Sequence, residues 1–398
     1  MFYDEVMRVQ ALSDQGLAQE ATKELMRLVG HAADPVEHYG LGCCLSRLGL
    51  FELAEAAFET ALPHVLTVPR VGYAALDELA EVKFCLGKFN EARQLRLSLQ
   101  GREWLNDRLS GMNPNDPALD MFRSHYDKWL GAQSVEGKSI TVFNRGGFGD
   151  FLHHVRYVEH LKDEGAAVVF CQPPGPLQEL IGNSRLPVEM TTLTLEGVMQ
   201  CDFWAYPFDL FVRYQHSPSS PSQATGYLRP VRPVPSIPLP SSSGRRKVGI
   251  VWRSDNRTCR HEPFRSMELD TLAPLFDIDS IQFYSLQFGC LSETEQATLG
   301  RHQVIDMSPF IHSLADTAGI LSQLDLLISV DSMPVHLAGG CDVPVWAMLA
   351  RAADGRWGDR SQSTTPWYPS VRLFRQIELG EWNPVIQEIA TALRAVTL

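Results

Sequence analysis

The 398-residue chain has little that would carry it to a membrane or a nucleic acid. No apolar run approaches the ~20 residues needed to cross a bilayer as a helix. The N-terminus MFYDEVMRVQALSDQG lacks the charged-then-apolar layout of a signal segment. A cytoplasmic location and no membrane span are expected. Positive charge is in deficit. The 35 Lys and Arg face 47 Asp and Glu, leaving −12 with no long basic run, which disfavours a nucleic-acid partner. The eight cysteines stand singly or as the pair Cys43-Cys44, without C-x-x-C or a Cys/His cluster at zinc spacing. Buried reduced thiols are the expectation. The glycine stretch GGFGDF is not the dinucleotide fingerprint G-x-G-x-x-G, and no phosphate-loop G-K-[ST] follows it. What remains is ordinary globular composition, 44% apolar and 21% charged, enough for two or three domains.

Strand signals are almost absent from residues 1–110, where a helical pattern repeats. Gly16 precedes Ala21, Gly49 precedes Ala54 and Gly87 precedes Ala92, and the glycines recur 33 and 38 residues apart. The middle copy, YGLGCCLSRLGLFELAEAAFETAL, reads as two antiparallel helices. Gly42 and Ala54 permit close approach, Gly49 ends the first helix, and Phe51 and Phe58 fill the groove between pairs. The pattern resembles the tetratricopeptide repeat, whose period is about 34 residues. The third copy departs from it, with Arg96 where an aromatic is usual. A short solenoid of this kind offers a concave face suited to extended peptide.

Residues 111–134 read as a linker followed by a helix near Met121 to Leu130. Beyond them, strands alternate with helices: Ser139–Phe143, Ala166–Cys171, Lys247–Trp252, Ile281–Gln287, Asp325–Val330, Val343–Leu349 and Val371–Arg375. That alternation predicts parallel α/β sheets. Five prolines and a serine run between Tyr227 and Lys247 mark a break. The expected organisation is a helical repeat domain (1–110), an α/β domain (135–235), a linker (236–246) and a second α/β domain (247–398). Ligands of such folds sit at the carboxyl ends of strands and in clefts between domains.

Four segments carry residues suited to chemistry. In NRGGFGDFLHHVRY, a strand runs into three glycines and then Asp150 at a helix mouth. Glycines allow a tight turn and close approach of a ligand, whereas the bland role for Asp150 is to cap the helix. His153 and His154 point to different faces and make a poor metal pair. In LDLLISVDSMPVHLAGG, a strand ends at Asp331-Ser332 and Pro334 suits the first turn of a helix. The N–H groups there could receive a diphosphate, and His336 lies one turn in. GIVWRSDNRTCRHEPFRSM places Arg253, Arg257, Arg260 and Arg265 after a strand, and arginine suits bidentate phosphate capture. GRWGDRSQSTTPWYPSVRLFRQ is rich in Trp, Tyr and Arg, residues that pack on sugar or base rings and also build interfaces.

In this order, with ISVDSMPVHLAGG and TPWYPSVRLFRQ as the most specific motifs, the chain resembles bacterial tetratricopeptide-repeat glycosyltransferases with a GT-B fold. Their catalytic halves are similar to the ADP-heptose:lipopolysaccharide heptosyltransferases of glycosyltransferase family 9, and more distantly to O-GlcNAc transferases. The resemblance implies an α/β catalytic half of two Rossmann-like domains with a cleft between them. It implies inverting transfer from a nucleoside-diphosphate sugar, a co-substrate, to an acceptor hydroxyl, with no cofactor and no metal. Asp150 is implied as the general base. Gly147, Gly149, Arg253, Arg257, Arg265, Gln287, Gly289, Asp331, Ser332 and His336 are implied around the donor. Trp357, Arg360, Trp367 and Tyr368 are candidates for sugar, acceptor or cleft contacts. Relatives tend to have a small residue where Arg253 follows Trp252. The repeats suggest a protein or peptide acceptor; a surface polysaccharide, a lipid-linked glycan, or an idle scaffold with a vestigial nucleotide-sugar domain are the alternatives.

Overall fold

The computed structural model describes residues 2–66, 69–99, 127–129, 131–144, 146–191, 201–214, 226–230, 244–254 and 262–396. Its first part is helical: α1 (Phe2–Asp14), α2 (Ala18–Leu28), α3 (Pro35–Arg47), α4 (Phe51–Val65), α5 (Pro69–Cys85) and α6 (Phe89–Leu99). The sequence repeat has a local cause. Gly16, Gly49 and Gly87 all take positive φ and end α1, α3 and α5. At each, the following N–H reaches five residues back, as Leu17 to Leu12, Leu50 to Leu45 and Lys88 to Lys83. Ala21, Ala54 and Ala92 are fully buried. At Gly42 the Phe58 ring fills the space where a Cβ would be.

Two all-parallel sheets follow. The first holds β1 (Asp127–Lys128), β2 (Ser139–Phe143), β3 (Val168–Gln172), β4 (Glu189–Met190) and β5 (Phe203–Ala205) in the order β1-β5-β2-β3-β4. The second holds β6 (Arg246–Val251), β7 (Ile281–Ser285), β8 (Ile305–Asp306), β9 (Leu326–Val330), β10 (Val345–Leu349) and β11 (Val371–Arg375) in the order β11-β10-β9-β6-β7-β8. In each sheet the strand order reverses, beside β2 in the first and between β6 and β9 in the second. Crevices form at the carboxyl ends of strands where order reverses. The expected helix at 121–130 is corrected where it can be seen: Asp127–Lys128 pair as an edge strand with β5, and 121–126 and 130 lie outside the described residues. The same holds for 236–243 of the linker.

The helical domain is fused to both α/β halves. Arg93 donates to the carbonyls of Val212 and Arg213 in the first half, at 2.9 and 3.1 Å. Glu81 accepts the Gly355 N–H of the second half at 2.8 Å, and Arg360 donates to the Gly49 carbonyl at 3.2 Å. One apolar core runs from Phe84 and Ala92 through Phe151 and Phe211 to Val335 and Trp357. The tightest junction is Gly355, where a Cβ would stand 2.2 Å from the Phe84 Cβ and 2.9 Å from its carbonyl carbon. Gly355→Ala must push α5 away from the second half. Overpacking of this kind costs about 1–3 kcal/mol. We expect a lower midpoint in urea unfolding; an unchanged midpoint would mean that this junction yields freely.

Candidate active site

The site begins where β2 ends. Gly146 turns the chain at φ 90°, Gly147 takes the N-cap position in extended conformation, and a helix runs Phe148–His154. Asp150 is the third residue of that helix, and its Oδ2 accepts the Gly147 N–H at 2.8 Å. Its Oδ1 meets the Arg356 guanidinium. The carboxylate therefore caps the helix and also faces a cavity, with about a third (33%) of its side chain exposed. Gly149 also serves packing: a Cβ there would meet the His336 ring at 2.8 Å.

The second sheet supplies the opposite wall. Ser254 follows β6, and Arg265 closes a short helix, Glu262–Arg265. After β9, Ser332 is the N-cap of the Met333–Gly340 helix, with Pro334 in its first turn. The Ser332 hydroxyl donates to the Val330 carbonyl at 3.0 Å and makes no side-chain cap, so no serine oxygen covers the helix's first N–H groups. Arg265 Nε donates to the Asp331 carbonyl at 3.0 Å. The turn Gly355–Trp357 adds Arg356, whose Nε donates to both oxygens of Asp354 at 2.7 and 2.8 Å. These groups surround a cavity of about 640 Å³.

The third wall comes from the helical domain. Arg47 of α3, Asp77, Glu78 and Glu81 of α5, and Arg96 of α6 all line the same cavity. Arg96 pairs with Asp77 and with Glu81, the latter at 3.2 Å, and lies 5.0 Å over the Phe208 ring. Arg96, which stands where the resemblance leads one to expect an aromatic, reaches the cavity and stacks on an aromatic of the first α/β half.

Burial would raise the Asp150 carboxyl, but the Arg356 guanidinium and the Gly147 N–H outweigh it and hold the group well below the usual carboxylate range. Burial also works against Arg356, yet Asp150 and Asp354 lift it further above its ordinary value. His154 and His336 are pushed down to about 3, first by burial and then by Arg356, so both rings are neutral near pH 7. His153 is lowered by the same burial and by His154. Burial and Asp354 raise Glu81.

Of the residues singled out in the sequence, Gly147, Gly149, Asp150, Arg265, Ser332 and His336 come together around this cavity. Asp331 is buried behind it, offering its carbonyl to Arg265. Gln287 does not line it; its amide oxygen accepts the N–H groups of Trp252 and Arg253 at 3.1 and 2.9 Å, tying two strand ends together. Arg253 turns away to Glu295, at 3.2 Å. Gly289 takes positive φ in an exposed turn, and Arg257 lies outside the described residues. Trp357, Trp367 and Tyr368 are buried behind the cavity and do not line it. The Trp357 ring stacks on His336 at 5.1 Å, and the Tyr368 hydroxyl meets His336 Nδ1 at 3.1 Å. Arg360 sits over Phe51 of the helical domain instead of the cleft.

Sequence reasoning missed His154, Asp354, Arg356 and the wall from α3, α5 and α6. For His154 a signal existed, since it lies one helical turn after Asp150 and shares its face. Nothing in the sequence distinguishes Arg356 from Arg360 four residues later. Among the described residues, no group of three or more His, Cys, Asp or Glu has a metal-holding arrangement.

No protein-family model matches the chain. Among curated proteins it is 26% identical over 303 residues to protein FlbA of Caulobacter vibrioides, covering 67% of this chain and 48% of that protein. The chain thus spans about half the length of the curated relative it matches. Among solved structures it is similar to a glycosyl transferase family 9 protein of Veillonella parvula, with TM-score 0.43, 13% identity, and coverage of 66% of this chain and 91% of that one. It is similar to ADP-heptose LPS heptosyltransferase II of E. coli, with TM-score 0.40, 13% identity, and coverage of 65% and 98%. A Thermobaculum terrenum O-GlcNAc transferase aligns over 100% of this chain and 94% of its own, with TM-score 0.29 and 14% identity. At these TM-scores overall likeness alone decides neither fold nor chemistry.

Proposed function

We propose that the chain is a glycosyltransferase of the GT-B kind, moving a sugar from a nucleoside diphosphate to an acceptor hydroxyl. The observation that carries this reading is one cavity bringing together a carboxylate from the first sheet's switch point and a helix N-terminus with arginines from the second's. In this reading the donor diphosphate lies against the first N–H groups of the Met333–Gly340 helix, beside Arg265. Asp150 takes the proton of the acceptor hydroxyl. The acceptor oxygen bonds to the anomeric carbon as the bond from that carbon to the phosphate oxygen breaks, and the nucleoside diphosphate leaves. One displacement inverts the anomeric centre. The leaving charge is met by Arg265, Arg356 and the helix N–H groups, without a metal.

A polypeptide acceptor fits best, because residues of α3, α5 and α6 line the reacting cavity itself. The test is a thermal-shift screen of the full chain against UDP, GDP, ADP, CMP and dTDP, with and without EDTA. One diphosphate is expected to stabilise the chain, by about 2.7 kcal/mol at a hundred times its Kd. EDTA should leave that shift intact. No shift with any nucleotide would remove the reading and leave a scaffold.

A further inference from the structure

Arg356 is held unequally by its two carboxylates. Asp354 grips it along the Nε and Nη2 edge, with contacts of 2.7 and 2.8 Å from Nε and 2.7 Å from Nη2. Asp150 takes only Nη1. The edge toward Asp354 is therefore an anchor two residues away in sequence, and the edge toward Asp150 is a single contact across the cavity mouth. About a quarter (24%) of the Arg356 side chain is open to the cavity. A guanidinium presents its donors in a planar fork that suits phosphate as well as carboxylate.

We propose that Arg356 is an exchangeable lock: its Nη1 holds Asp150, and a diphosphate that binds takes that contact over and releases the carboxylate. The proposal rests on the glycosyl-transfer reading only for the identity of the diphosphate, as part of a donor sugar nucleotide. The exchange itself moves no proton and breaks no covalent bond. Its consequence is order. Asp150 becomes an effective base only after the donor phosphates have arrived, so an acceptor hydroxyl is activated only beside a sugar that can receive it.

The charged surroundings fit such a device. Asp150 is faced by His154 on its own helix, by His336 from the Met333–Gly340 helix, and by Arg356, which Asp354 also holds, from the Gly355–Trp357 turn; His153 lies behind, against His154 and His336. Arg265 lies across the cavity with Asp331 behind it, and Glu81 and Arg96 close the helical side. The three histidines are neutral, so Arg356 is the cation that touches Asp150 among the described residues. Removing that contact leaves the carboxylate with the Gly147 N–H, which keeps it in place.

The lock makes a prediction that a purely structural ion pair does not. If Asp150 competes with phosphate for Arg356, weakening the competitor must strengthen phosphate binding. The experiment is isothermal titration of the full chain with inorganic pyrophosphate and with UDP, GDP and ADP, in wild type, Asp150→Asn, Arg356→Gln, Arg356→Lys and the double variant Asp150→Asn/Arg356→Gln. Melting temperatures check that each variant folds, and Asn can still accept the Gly147 N–H. Asp150→Asn is expected to bind pyrophosphate about tenfold more tightly, the scale of one charge-assisted hydrogen bond. Arg356→Gln is expected to bind at least about tenfold more weakly, and Arg356→Lys to fall between. The double variant should match Arg356→Gln, with the gain abolished.

Equal or weaker pyrophosphate binding by folded Asp150→Asn overturns the exchange, as does the absence of pyrophosphate binding in every variant. The outcome is separable from the glycosyl-transfer reading. Tighter binding by Asp150→Asn with no turnover of any nucleoside-diphosphate sugar keeps the lock and removes the transferase. Unchanged binding with intact wild-type turnover does the reverse.

Discussion

Asp150→Asn is expected to lower sugar transfer by about 10²–10⁴-fold, the usual contribution of a positioned general base. The substitution is close to isosteric, and the amide oxygen can keep the bond from the Gly147 N–H that starts the helix. What it removes is the ability to accept a proton. Paired with Arg356, this carboxylate is ionised but a weak base, since the guanidinium holds it well below the carboxylate range. Brønsted behaviour then predicts little help from Asp150 unless the contact with Arg356 is given up during the cycle. The full loss therefore measures both the base and its release. Initial rates with the donor named by the nucleotide screen, together with circular dichroism of both proteins, decide the matter. A folded variant with turnover within about threefold of wild type would show that Asp150 is only a cap, far short of the usual base contribution.

The second large effect is acid sensitivity well above the carboxylate range. His153, His154 and His336 are buried together, with ring centroids 4.7 Å apart for the first pair and 5.4 Å between His153 and His336. Neither ring nitrogen of His153 has a hydrogen-bond partner among the described residues. Their folded pKa values are depressed, by burial first, while the unfolded chain binds protons near the ordinary value of about 6.5. The unfolded state thus holds more protons below that value, so stability is fully present above pH 6.5 and drains away as pH falls toward about 3. Each such histidine costs up to about 1.4 kcal/mol per pH unit in that window.

Asp150 has the same sign but acts only as pH falls into and below the ordinary carboxylate range. Glu81, which is raised, works in the opposite sense and offsets part of the loss. Urea unfolding at pH 7.5, 6.5, 5.5 and 4.5 should show a steep decline, and His153→Phe should flatten it. A pH-independent midpoint across this range would mean that the histidines are hydrated or protonated in the folded chain.

Much of the architecture was legible because it follows from local chemistry. Gly16, Gly49 and Gly87 could be read as helix ends, since a left-handed turn at that spacing is cheap only for glycine. The apolar runs at 139–143, 281–287 and 325–330 could be read as buried parallel strands, because both of their faces are covered. The short strands β1, β4, β5 and β8 were not legible. Two or three residues carry too little pattern, and only their pairing partners make them strands. Asp150, Ser332 and His336 could be picked out because each stands in the turn or helix that follows a strand, where side chains of α/β folds reach ligands.

Side-chain direction beyond the strand ends was not legible. Trp357, Trp367 and Tyr368 have the composition of a sugar platform, yet they pack behind His336, because three aromatic rings bury more favourably there than they would in a wet cleft. Arg360 and Arg356 look alike in sequence, and the docking of α5 on Gly355 turns one toward Phe51 and the other toward Asp150. The sequence by itself determined the helix pairs, the alternation of strands and helices that builds two parallel sheets, and the strand-end positions of the candidate base and phosphate site, all carried by local patterns. Only the tertiary structure decided that the helical domain is a wall of the cavity and that Arg356 holds Asp150. Those contacts join residues 206 and 274 positions apart, Arg356 to Asp150 and Gly355 to Glu81, and no local pattern encodes which distant group a burial-driven docking will bring within reach.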